Sequence, residues 1–140
     1  MTPDELQRVQ RSFALAQASA DELATSFYDH LWALAPEVRS MFPEDMVAQR
    51  QKLLDELAAI VAAVSDLSAL VARTAPLGAR HVEYGVEPDH YELVGEALQA
   101  ALADVLGDAW DAETASAWAY AYDLVAETML RGAVSPPASG

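Results

Sequence analysis

The chain of 140 residues contains no cysteine. That absence excludes disulfides, zinc thiolate sites, iron–sulfur clusters and a haem held by cysteinate, because each requires a thiolate ligand. Basic residues are scarce: 8 Lys plus Arg stand against 22 Asp plus Glu, leaving a formal net charge of −14. Such a field repels phosphate backbones and anionic lipid surfaces, so neither nucleic acid nor a membrane is expected as a partner. It can steer a basic protein patch toward the chain, or serve solubility alone. No run of eighteen apolar residues occurs, and the opening MTPDELQRVQRSF is polar and acidic where a signal peptide would be basic and then apolar. A cytoplasmic location is expected. A glycine-rich phosphate loop, an HExxH or other zinc-spaced histidine pair, and a serine in a GxSxG turn are also missing. Nucleotide and hydrolase chemistry therefore find no support.

What is present is helix punctuation from end to end, with apolar residues spaced by three and four rather than two. The expected fold class is all-α, about six to seven helices in one domain over residues 1–132, with 133–140 a flexible tail. Thr2-Pro3-Asp4-Glu5 reads as a capping box opening a helix with Leu6, Val9 and Phe13 inward. Ser19-Ala20-Asp21-Glu22 repeats that signature before a stripe of Leu23, Phe27, Leu31 and Leu34, with Tyr28 at its border. After APEVRSMFP, a helix over about residues 46–64 presents Leu53, Leu54, Leu57, Ile60, Val61 and Val64. Gln49 lies one turn before Leu53, so an amide is aimed at a side otherwise apolar.

From 67 to 84 the pattern is helical, with a break or restart expected at Pro76. Gly85 suits the left-handed residue that ends a helix, and Pro88 the first turn of the next, which carries Tyr91, Val94, Leu98, Leu102 and Val105. Asp111 caps a last helix with Trp118, Ala121, Tyr122, Val125 and Met129 inward, and Gly132 is expected to stop it.

The three histidines can be weighed singly. His30 lies on a polar side beside Asp29, and His90 projects about a hundred degrees from Tyr91. His81 differs: it falls four residues after Leu77 on an apolar helical face, next to a glycine turn. A lone histidine there is most often a surface or core residue. A neutral imidazole in that setting can also hold haem iron from one side, while the helix carrying Gln49 and Leu53 forms the opposite wall.

Several strings taken together carry a resemblance: FYDHL, PEVRSMF, Gln49 before Leu53, LGARHVEYGV, and HYELVGEAL with Tyr91 ten residues after His81. Over about residues 27–129 the chain resembles the globins, specifically single-domain bacterial haemoglobins related to the haem domain of flavohaemoglobins. The resemblance implies a globin fold around haem b, with His81 as proximal iron ligand and Tyr28 and Gln49 as a distal pair facing bound gas. Phe42, Leu53, Leu77, Val86, Tyr91 and Val94 would line the cofactor pocket, and Arg80 and Tyr84 would meet the haem propionates. A dioxygen ligand that accumulates negative charge gains from a phenol O–H and an amide N–H, and carbon monoxide gains less. The distal position is expected to be open or water-occupied.

Reversible binding of dioxygen and other diatomic gases is the implied function, with nitric oxide dioxygenation if an external reductase supplies electrons. Flavohaemoglobins carry a reductase where this chain ends. Their proximal histidine is tuned by a tyrosine paired with a glutamate. Tyr91 matches the tyrosine, but the glutamate's place falls near Ala133 and Glu127 lies almost two turns too early. Peroxidase-like chemistry is correspondingly disfavoured. The alternative is a cofactor-free helical interaction domain in which Tyr28, Phe42 and His81 are packing residues and Gln49 is solvated.

Overall fold

The computed structural model describes residues 2–83 and 88–134, with the backbone alone at 67, 75, 79, 81–83, 88, 89 and 131–134. Six α-helices occur among the described residues: α1 (Pro3–Gln17), α2 (Ala20–Leu34), α3 (Val47–Ala63), α4 (Leu67–Glu83), α5 (Pro88–Leu106) and α6 (Ala112–Val134). Short 3-10 helices at Pro36–Met41 and Gly107–Ala109 complete the order. The chain is all-α, as its periodicity requires.

Two of the expected caps form. The Thr2 hydroxyl accepts from Glu5 N–H at 3.2 Å while the Glu5 carboxylate accepts from Thr2 N–H at 3.1 Å. Asp111 accepts from the Thr114 amide at 2.7 Å and so opens α6. Ser19 does not repeat the capping box: its side chain makes no cap hydrogen bond. Its own N–H closes the last turn of α1 on Ala16 C=O, and its ψ of 47° is far from the extended value that aims a cap oxygen inward.

Three further expectations need correction. Leu34 is 44% exposed, because the inward side is continued by the buried Ala35 and Val38 once α2 ends. Pro76 does not interrupt α4, which runs through it. Pro76 and Ala72, whose carbonyl lacks its usual donor, are both exposed, so water can serve that carbonyl. On the opposite side Leu70 and Thr74 are fully buried as α4 packs along α6. Gly132 does not end α6, which continues to Val134; a helical glycine costs about 1 kcal/mol, not enough to terminate a packed helix. Gly85 and the tail beyond 134 lie outside the described residues.

The core is built from α1, α2, α5 and α6, with Val9, Phe13, Leu23, Phe27, Leu98, Leu102 and Trp118 among its buried members. Helix α2 packs across α5, α1 against α6, and α4 along α6. Helix α3 is different. Val61 is its one buried residue, while Leu53, Leu54 and Leu57 are only half-buried against the core. The apolar face of α3 thus stays partly uncovered, a feature that bears on the site.

Candidate functional site

Three elements converge at the first half of α3. Helix α2 brings Tyr28, the 3-10 turn ends at Phe42, and the first turn of α3 carries Gln49. Tyr28, placed by its sequence stripe at the border of α2, is in fact buried, with 4% of its surface exposed. The Gln49 amide donates to the Tyr28 hydroxyl at 3.1 Å. Burial raises the pKa of that phenol, opposed by the Gln49 hydrogen bond and the nearby Arg50 guanidinium. The hydroxyl therefore keeps its proton as a donor at neutral pH.

Aromatic rings surround the phenol. Phe27 meets it edge-on at 5.0 Å between centroids, Phe42 edge-on at 5.4 Å, and Trp32 tilted at 5.5 Å. Phe42 and Leu53 are both half-buried and packed on the core. Low-polarity, ring-walled surroundings on these sides strengthen whatever hydrogen bond the Tyr28 phenol directs at a third group.

On the other side, α4 carries the sequence-selected Leu77, half-buried, and Arg80, exposed. His81 sits in the last turn of α4, with its side chain outside the described residues; Tyr84 and Val86 lie wholly outside them. Helix α5 contributes Tyr91, buried, and Val94, half-buried. The Tyr91 hydroxyl is buried with no hydrogen-bond partner among the described residues, and burial raises its pKa. Tyr122, from α6, donates to the Tyr91 carbonyl, with Gly95 leaving room where a Cβ would strike the Tyr122 ring. His30 stands apart, bonded to Asp104 at 2.7 Å and bridging α2 to α5, and His90 is half-buried.

Sequence reasoning passed over Trp32 and Arg39. Trp32 lies one helical turn after Tyr28, a spacing that puts the two on one face. Arg39 carried no comparable signal: its contact with Trp32 depends on how the 3-10 turn folds back.

A family model described as Globin matches residues 25–129, and the chain belongs to the globin family. Globins are haem proteins, so the class is that of a haem-binding helical domain. Within it the chain is related to the haem domains of flavohaemoproteins. It is 30% identical over 133 residues to the flavohaemoprotein of Deinococcus radiodurans, covering 93% of this chain and 33% of that one. It is 27% identical over 125 residues to that of Bacillus subtilis, covering 87% and 31%. The chain thus spans about a third of the length of the curated relatives it matches.

Among solved structures, a bacterial globin from Campylobacter jejuni superposes with a TM-score of 0.83 at 24% identity, covering 94% of this chain and 96% of that one. An engineered carbene transferase from Rhodothermus marinus, whose parent carries a provisional assignment as nitric oxide dioxygenase, superposes at 0.82 with 30% identity. It covers 95% of this chain and 93% of its own. The fold is the globin fold.

The described residues fit haem on observations of their own. The half-covered aliphatic face of α3, the phenol–amide pair beside it, and a buried Tyr91 hydroxyl on α5 with no partner among the described residues are what a flat, mostly apolar group packed against α3 would use. A buried hydroxyl without a partner costs about 1–3 kcal/mol, which a bound group or its ligand can relieve. Among the described residues no helix is long and apolar enough to cross a membrane, and no cluster of His, Asp and Glu could hold a bare metal ion.

Proposed function

We propose that this globin binds haem b through His81 and uses it to bind dioxygen reversibly, with nitric oxide dioxygenation as its reaction when an external reductase is present. When bound, the haem iron supplies a coordination position for a diatomic gas and the one electron needed to form nitrate from nitric oxide and dioxygen. The observation that carries the reading is the Gln49–Tyr28 hydrogen bond at 3.1 Å, from a half-buried amide to a buried phenol held among Phe27, Trp32 and Phe42. Gln49 occupies the phenol oxygen as an acceptor, which leaves the phenol proton free to point at a third group. A phenol donor backed by an amide favours a ligand that gathers negative charge over a neutral one. The rings packed on the phenol limit the water that would otherwise compete for the same donor.

Leu53, Leu77, Phe42 and Val94 would supply the apolar contacts to the ring system, and Tyr91 would orient the His81 imidazole through its hydroxyl, which has no partner among the described residues. Arg80 is exposed, as a propionate partner would be. Kinship with flavohaemoproteins supports an electron donor of the flavin reductase type.

The test is an absorption spectrum of protein supplied with haem. An intense near-ultraviolet band that moves when carbon monoxide is added, and that is lost in His81→Ala, is the expected result. Protein that stays colourless with haem in excess overturns the proposal. For the reaction, oxygenated ferrous protein should form one nitrate per haem on adding nitric oxide, and ferric protein none.

A further inference from the structure

Arg39 touches both Trp32 and the backbone behind Phe42. Its guanidinium carbon lies 4.3 Å from the Trp32 ring centroid, a cation–π contact. The same side chain donates from Nη1 to the carbonyls of Phe42 at 3.3 Å and Pro43 at 3.0 Å. Trp32 in turn meets Tyr28 at 5.5 Å and Phe42 at 6.1 Å. One cation thus ties the end of the 3-10 turn to the ring that walls the phenol. Arg39 and Trp32 are both half-buried, and with Tyr28 they line a recess of about 360 Å3 that opens at the exposed Thr25, Asp29, Glu44 and Asp45.

Packing alone does not account for the tryptophan. Its indole N–H is buried with no partner among the described residues, a cost a phenylalanine would not carry. What the indole has over a benzene ring is a larger, more electron-rich face, the best aromatic surface for a cation. The guanidinium, planar and always charged, uses that face while its edge takes the two carbonyls.

From this geometry we infer that Arg39 and Trp32 are positioning residues for gas binding: the clamp they form sets the angle of the Tyr28 ring and the place of Phe42, and so where the phenol proton points. The inference rests on the proposed haem function and deepens it.

Arg39→Gln and Trp32→Phe test it in haem-loaded protein, with Arg39→Lys as the conservative variant. The C–O stretching frequency of the carbon monoxide complex reads the local field of the phenol, and stopped flow reads oxygen release. Arg39→Gln should move the stretch toward that of Tyr28→Phe and speed oxygen release about fivefold, the rate equivalent of a cation–π contact of ~1 kcal/mol. Trp32→Phe should move both in the same direction. Arg39→Lys, which keeps the cation over the ring, should fall between wild type and Arg39→Gln. A lower melting temperature with an unmoved stretch and release rate would assign Arg39 and Trp32 to packing and overturn the inference. Absence of the haem band in wild-type protein would instead overturn the function on which it rests.

Discussion

Tyr28, Tyr91 and Tyr122 all have pKa values raised from the ordinary 10.0, in each case first by burial. In the unfolded chain these phenols ionise near 10; in the folded chain they hold their protons longer. Above that pH the folded state binds more protons than the unfolded one, so stability falls as pH rises. Below it the three phenols are neutral in both states and contribute no slope. Urea unfolding followed from pH 8 to 11 should show a flat region and then a decline above about 10. Replacing Tyr28 by Phe should soften that decline, and in haem-loaded protein should speed oxygen release about fivefold to tenfold, the worth of one hydrogen bond. Tyr91→Phe is a separate case. It removes a buried hydroxyl that has no partner among the described residues, so haem-free protein carrying it should melt at the same temperature or higher.

Among the elements, α4 is the one on which the proposed site most depends, and its seat on α6 is tightly specified. The Thr74 hydroxyl donates to Leu70 C=O at 2.7 Å and lies 2.5 Å from the Thr128 hydroxyl, itself bonded to Val125 C=O at 2.8 Å. One turn on, a Cβ at Gly78 would collide with the Met129 backbone rather than with a side chain that could swing away. Gly78→Ala is therefore expected to push α4 off α6 and to destabilise by about 1–3 kcal/mol, measured by thermal unfolding. The Glu56–Arg73 pair, with both bonds at 3.0 Å, joins α3 to α4 but is substantially exposed, and its loss should change stability by less than about 1 kcal/mol.

The same element marks how far the sequence could be read. Its helical period and apolar face were legible, and so were the caps at Thr2 and Asp111, because each depends on residues within four positions. The survival of Pro76 was not, because it is decided by α6, fifty residues away. Ser19 failed as a cap for a similar reason: the end of α1 had already taken its backbone. At the site, Tyr28 and Gln49 could be chosen as a pair from resemblance, but their hydrogen bond needed the 3-10 turn to bring α3 over α2. Trp32 and Arg39 went unseen because their contact exists only after that turn has folded.

The whole molecule carries a net charge of −14, offset locally among the described residues in pairs such as Arg8 with Asp4 and Glu113. Self-repulsion of this size weakens the compact state. Raising salt to about 0.15 M shortens the screening length to about 8 Å, so the melting temperature should rise between low and physiological ionic strength. A reductase that meets this surface with a basic face should associate fast at low salt and progressively slower as salt is added. Stopped-flow reduction rates across a salt series check this; rates indifferent to salt would mean that charge does not guide the encounter.

The N–H of Trp118 donates at 2.7 Å to the Ser12 hydroxyl, which itself reaches back to Arg8 C=O, and Phe13 packs 6.3 Å from the Trp118 ring. Helix α1 lies outside the stretch that the family model recognises, residues 25–129, yet it seals the indole of α6. A fragment trimmed to the recognised stretch would bare that indole to water. With Trp32 and Trp110 replaced by Phe, its fluorescence should shift to the red and quench readily with acrylamide, making Trp118 a reporter of whether the first helix is docked.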